Sequence, residues 1–365
     1  MTTNKSISIR QLCFIIIALF SISKFYVLPA LVSGVSGEAG FTAIAFNFFI
    51  DLILLIVCLF VIKYSNEPLY ETSVSIFGKT LTDITFILYA VYFFVKAFIP
   101  LVEQKNTISL TFYESQPTLL IFMPFFIVGF YIVKKGINAY SRSVEIVFWI
   151  FILAMLIIFA LSVPAGSYGA LLPIIQPPKK ILNGSYKSLV WFGDPLAVLF
   201  LGSYLSSKKN LYKNTIISFL ISAFITVLLV AVFYAVFDSI AERQYYAPIK
   251  MSKYSITLSN IGRLDYLGSV MLSLVSIYSI CLPLLISTSI ITKVFKLNRD
   301  NFISPFIIVL LQAVLIYFFQ NEIFKSIAFV QKYFLPFFIV MAYLLPLAFA
   351  VAVFIKNKVN KGAYV

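Results

Sequence analysis

Apolar runs of 18 residues or more recur along this chain from end to end. Hydrocarbon offers no water to backbone N–H and C=O groups, so such runs cross a bilayer as helices that satisfy themselves. Ten can be counted, over roughly 10–33, 41–63, 81–103, 117–134, 143–163, 186–206, 212–237, 264–293, 302–319 and 333–355. The expected fold class is therefore an all-α polytopic membrane protein with ten transmembrane helices. Composition agrees: 61% of the 365 residues are hydrophobic and 12% are charged, against about 25% charged in a soluble domain.

The net charge of +14 could point to nucleic acid in a soluble chain. Here the bases flank the apolar runs, which is the pattern of topology signals, and no nucleic acid partner is expected. With the N-terminus placed in the cytoplasm, 16 of the 28 Lys and Arg residues fall in inner segments and 10 in outer ones. The bias predicts cytoplasmic N and C termini. "MTTNKSISIRQ" leads into an apolar stretch without a small-residue cleavage site, so no signal peptide is expected.

Cys13, Cys58 and Cys281 lie inside apolar segments without CxxC spacing and read as buried thiols. The chain has no histidine, which removes the usual general base and common metal ligand. Nucleotide-binding and nucleophile motifs are also missing. The expectation is a protein that is not an enzyme and takes no cofactor and no metal.

Two internal echoes point to a five-plus-five inverted repeat. "SIFGKTLTDITF" opens span three and "SNIGRLDYLGSV" opens span eight, each with a Gly, then a base, then an Asp. "LPALVSG" in span one and "DPLAVLFLG" in span six each carry a Pro, an apolar run and a Gly. Five spans per half mean that the second half enters from the opposite side. The expected organisation is one transmembrane domain: repeat one over 10–163, a Pro- and Gly-rich linker over 164–185, repeat two over 186–355 and a cytoplasmic tail over 356–365.

Within "SLVWFGDPLAVLFLG" in span six, Gly193, Asp194 and Pro195 stand in the middle of an apolar run. Proline removes a backbone donor and glycine lowers the cost of leaving helical geometry. In span one, Ser21, Ser23 and Lys24 interrupt the run and Pro29 follows. Charges beside both places favour discontinuous helices lining a cavity over simple proline kinks. At 1.5 Å per residue, Lys24 and Asp194 each lie about 12 Å below the outer face, and Asp51 of span two lies about 15 Å deep. Three charges from three spans converge on one level. Asn47 shares a helix face with Asp51. Lys96 of span three lies roughly 9 Å from the outer end of its run. It reads equally as a lysine snorkelling to the interface and as a site residue.

Ten spans, breaks in spans one and six, and a long external segment between spans seven and eight resemble the amino acid–polyamine–organocation superfamily. "KFYVLPALVSG", the "LLPIIQPP…ILNGSYKSLVWFGDPLAVLFLGSYL" region and the basic C-terminal tail bring the chain nearest to the spore-germination permeases, the GerAB-like B subunits of nutrient germinant receptors. The chain departs from that family in having Ser-Ile-Ser-Lys where a Gly-rich turn is common, and Gly193-Asp194-Pro195 where Gly-x-Glu is common, so ligand identity does not carry over. The resemblance implies a LeuT-like fold and a site for a small-molecule nutrient, with an amino acid favoured. It implies a place in the spore inner membrane or cytoplasmic membrane and other receptor subunits as partners beside the lipid bilayer. An ion-coupled transporter without a germination role, and a structural subunit that transports nothing, are the alternatives. The candidate ligand-binding residues are Ser21, Ser23, Lys24, Phe25 and Tyr26 of span one, Asp51 of span two and Tyr92 and Lys96 of span three. Span six adds Phe192, Gly193, Asp194 and Pro195. The amides of Phe25, Tyr26 and Val27 and the Lys24 ammonium would suit a carboxylate, and Asp194 an ammonium.

Overall fold

The computed structural model describes residues 7–37, 40–65, 67–112, 118–172, 177–254, 264–297, 302–319 and 323–362. Span one is two helices, α1 (Ile9–Ile22) and α2 (Leu28–Ser36), separated by a non-helical turn. Ser8 starts α1 with a capping box: its hydroxyl accepts from the Gln11 amide and the Gln11 side chain accepts from the Ser8 amide. Pro29 sits in the first turn of α2, where its missing N–H costs nothing. α3 (Gly40–Tyr64) follows, then the short α4 (Leu69–Phe77), then α5 (Lys79–Phe112).

α6 (Thr118–Ser162) is 45 residues long, about 67 Å at 1.5 Å per residue, more than twice a hydrocarbon core. It is broken at Gly136, whose φ of 77° is open to glycine and strained for other residues. The break divides it where the sequence separates spans four and five. Span six is again interrupted: α7 (Pro178–Ser188), a 3₁₀ turn over Leu189–Trp191, then α8 (Pro195–Leu201). α9 (Leu211–Phe237), the short α10 (Ala247–Tyr254), α11 (Leu264–Val294) and α12 (Ile303–Phe318) come next. Of the span-eight echo, residues 259–263 lie outside the described residues, as do parts of the linker and tail.

The last segment runs α13 (Ile323–Phe329), α14 (Leu335–Ile339) and α15 (Leu345–Gly362), joined by π-helical turns over Val330–Phe334 and Val340–Leu344. Each π turn precedes a proline, Pro336 or Pro346. A proline donates no bond and clashes with the carbonyl four residues back, so the ladder shifts register there.

Among the described residues, six helices are long and apolar enough to cross a membrane, and Ile9–Ile22 and Ile303–Phe318 are shorter apolar helices. Their faces divide as lipid and protein interior require. On α3, Phe46, Phe49, Ile53 and Ile56 are exposed, while Asn47, Asp51, Leu55 and Cys58 are buried one turn apart. The protein is thus a multi-pass α-helical membrane protein. Both ends of the described chain meet one face: Ile7 bonds to Tyr204 and Ser206, Lys208 to the Ile62 carbonyl, and Asn357 to the Tyr64 carbonyl.

Candidate functional site

The span-six break owes its shape to Gly193. Its φ is 80°, and a Cβ there would lie 2.9 Å from both Ala342 Cβ and the Tyr92 hydroxyl. A left-handed residue in mid-membrane exposes polar backbone that must find partners. Asp51 supplies one: both carboxylate oxygens accept from the Gly193 N–H, each at 3.0 Å. The Tyr343 hydroxyl, from the second π turn, donates to the same carboxylate at 2.7 Å. Lys96 supplies the other, donating to the carbonyls of Val190, at 3.1 Å, and Phe192. One turn before Asp51, Asn47 donates to the Ser185 carbonyl at 3.1 Å and to the Ser188 hydroxyl at 2.7 Å. One face of α3 therefore contacts both the end of α7 and the break itself.

Asp194 is the centre of charge. The Lys24 ammonium is paired with its Oδ2, and Lys96 Nζ stands 3.3 Å from its Oδ1. Lys24 also donates to the Phe20 carbonyl at 2.8 Å, an orphan acceptor at the end of α1. Its ammonium lies 5.0 Å from the Phe192 ring centre and 5.6 Å from that of Phe48, within cation–π range. The residues themselves are 1% (Lys24) and 1% (Asp51) exposed. In ionised form the four groups balance as two cations and two anions, which is what hydrocarbon depth demands.

Of the three charges expected at one depth, Lys24 and Asp194 are in contact, and Asp51 joins them through the amide of Gly193, the neighbour of Asp194. Lys96, which the sequence left equally as a snorkelling lysine and as a site residue, turns inward to the Val190 and Phe192 carbonyls and to Asp194.

A cavity with about 40 Å³ of free space lies against Asp194 and Lys96. That is room for about two or three waters. Of the expected residues, Ser23, Tyr92, Lys96, Gly193 and Asp194 line it, and Trp191, Phe93 and Ser279 join them. Lys24, Asp51, Phe192 and Pro195 are not among the lining residues. Lys24 and Asp51 grip the break itself, through Asp194 and the Gly193 amide. Ser21, Phe25 and Tyr26 do not line the cavity either. Ser21 shares a 2.9 Å hydrogen bond with Ser222, Phe25 stacks on Phe151, and the Tyr26 hydroxyl accepts from Ser276. The turn after α1 sends Lys24 toward Asp194 and its two successors toward α6 and α11. The Phe25 amide is not free for a ligand, since it donates to the Ile22 carbonyl at 3.2 Å.

Tyr343 and Trp191 were missed. The π turn holding Tyr343 is announced by Pro346 three residues on, a signal available in the sequence. Trp191 lies three residues before Asp194 and carried no signal beyond that position.

The fold superposes on the crystal structure of MhsT in complex with L-phenylalanine. The TM-score is 0.61 at 15% sequence identity, over 94% of this chain and 98% of that one. This is the LeuT-like transporter fold. In sequence, spore germination protein YndE of Bacillus subtilis (strain 168) is 23% identical over 156 residues, which span 42% of this chain and 43% of YndE. The spore-permease family, described as spore germination protein, matches residues 6–323. With the match running through both breaks and the charged cluster between them, the chain belongs to the spore-permease family of spore germination proteins.

Proposed function

We propose that this protein is a germinant-sensing membrane subunit that takes a small zwitterion, an amino acid by preference, into the cavity at the two breaks. One observation carries the reading: Lys96 and Asp194 face each other at 3.3 Å on the cavity wall. With Lys24 paired behind Asp194, the cavity offers a cation and an anion side by side. A ligand bearing both charges would exchange these pairings for its own, carboxylate to lysine and ammonium to Asp194. Leu19, Phe93, Ile99 and Leu282 would meet its apolar part. The small free space means that the pair must part and the broken segments must move to admit it. The amino acid held by MhsT, L-phenylalanine, supports the ligand class.

The work is binding and not catalysis. The chain would cross the spore inner membrane or cytoplasmic membrane ten times, as one domain of two five-span halves over 10–163 and 186–355. Both termini would be cytoplasmic, with further receptor subunits as partners. The shared face of the two chain ends supports both lying on one side, and the Lys and Arg bias names that side as cytoplasmic. Reporter fusions after Lys358 and within 244–251 should land on opposite sides of the membrane, and landing on one side would refute the scheme.

Thermal-shift screening of the purified protein against amino acids, nucleosides and sugars tests the ligand class. A ligand at a hundred times its Kd adds about 2.7 kcal/mol of stability. Amino acids should raise the melting temperature. Stabilisation by sugars or nucleosides alone would refute the zwitterion. A second reading has its own support in the closed Lys24–Asp194 pair: the cluster would only hold spans in register.

A further inference from the structure

Trp191 forms part of the cavity wall, but its indole N–H points away to a carboxyl group that the site does not use. It donates to Glu103 Oε1 at 2.8 Å. Glu103 lies on α5 about two turns beyond Lys96 and is 0% exposed. α5 runs nine residues further, about 13 Å, and the Glu103 carboxyl is enclosed by the protein rather than open to its surface. Its second oxygen, Oε2, is buried and has no hydrogen-bond partner among the described residues.

A carboxylate buried in the protein and held by one neutral donor is far from satisfied. A proton cures that without any new protein partner. The surroundings fit a proton better than a bulky ligand. Among the described residues, Tyr26, from the turn between α1 and α2, and Tyr246, just before α10, lie in electrostatic reach of Glu103. Both are phenols. Lys105, two residues along α5, leaves the helix about 200° away from Glu103. The Tyr26 carbonyl in turn accepts from the amides of Tyr246 and Ala247 at 2.8 and 3.1 Å. Glu103 therefore sits where the span-one break, the span-six break and the segment before α10 meet.

We propose that Glu103 is a proton-binding site that sets how firmly Trp191 is held at the cavity wall. When the O–H bond of the acid breaks, the proton passes to water and the carboxylate keeps the electron pair. The bond from the indole becomes charge-assisted, shorter and roughly twice as strong, and Trp191 is fixed. When the carboxyl takes the proton back, that hold weakens and Trp191 is free to move against an entering ligand. The inference stands apart from the identity of the nutrient.

The test uses the full-length purified protein without nutrient. The chain has two tryptophans, and the other, Trp149, is 65% exposed on α6. Trp149→Phe leaves Trp191 as the sole indole emitter. Titrating from roughly pH 4 to 9, across the carboxyl range and above it, should give a one-proton step in its emission. Glu103→Gln in the same background should abolish the step and hold the emission at its low-pH level. Glu103→Asp should keep a step with a moved midpoint. A flat profile in the parent, or the same step in Glu103→Gln, would overturn the proposal. Should Glu103→Gln fail to fold, Glu103→Asp decides: a moved midpoint supports the site and an unmoved one overturns it.

Discussion

The two breaks do different things with the same problem. At the first, between Ile22 and Leu28, the chain settles its polar groups mostly at home: the Lys24 amide bonds to Ser21, the Phe25 amide to Ile22, and the Lys24 ammonium to Phe20. At the second, Gly193 stands in a left-handed conformation and its neighbours depend on distant spans. Its amide needs Asp51 of α3, and the Phe192 carbonyl needs Lys96 of α5. The Asp51 carboxylate leans on Tyr343 near the chain's end. The first break is a local turn that delivers a cation. The second is held together by four segments, so whatever disturbs those segments reaches it directly.

That contrast predicts graded damage. Asp194→Asn should be the most severe change, because it strands two buried ammonium groups that share one carboxylate. Breaking such a pair costs about 3–5 kcal/mol, and a collapse in folded protein by size-exclusion chromatography is expected. A melting temperature near wild type would mean that the lysines have other partners.

Gly193→Ala should come next. Left-handed geometry costs an L-residue about 1–2 kcal/mol, and overpacking against Ala342 and Tyr92 adds about 1–3. Thermal unfolding should show the loss, with no gain at any nutrient concentration. A neutral result would place the break's stability elsewhere. At the first break, Ser21→Ala should matter least. It removes the hydroxyl's bonds to Ile17 and to the hydroxyl and carbonyl of Ser222, about 1 kcal/mol in net terms. Melting comparable to that of Gly193→Ala would erase the distinction between the breaks.

Both breaks were legible in the sequence because residues that hydrocarbon penalises stand out in an apolar run. Gly193, Asp194, Pro195 and Lys24 each violate the pattern, and counting rise per residue brought three charges to one level. What escaped was set by side-chain direction and by abundance. Placing Lys96 near the outer end of span three gave it a route to the headgroups, but its side chain turns to the Val190 and Phe192 carbonyls and to Asp194. Tyr343 is one tyrosine among 22, and nothing in composition separates it from lipid-facing bulk. Phe25 and Tyr26 were placed at the site by adjacency to Lys24. A turn sends successive side chains in different directions, so adjacency in sequence there does not give a shared surface.

The central claim is that Lys24 and Asp194 are one electrostatic unit that also receives the ligand. A double-mutant cycle on Lys24→Met and Asp194→Asn, read both as melting temperature and as stabilisation by amino acids, tests it most directly. Each single variant should be strongly destabilised. The double variant should regain part of that loss, since one stranded charge is removed with its partner. It should nevertheless remain unresponsive to amino acids, because Asp194, which would grip the ammonium of the zwitterion, is gone. Additive, mild effects on melting would contradict the coupling, and a double variant that responds to amino acids like the wild type would leave the pair a structural clamp.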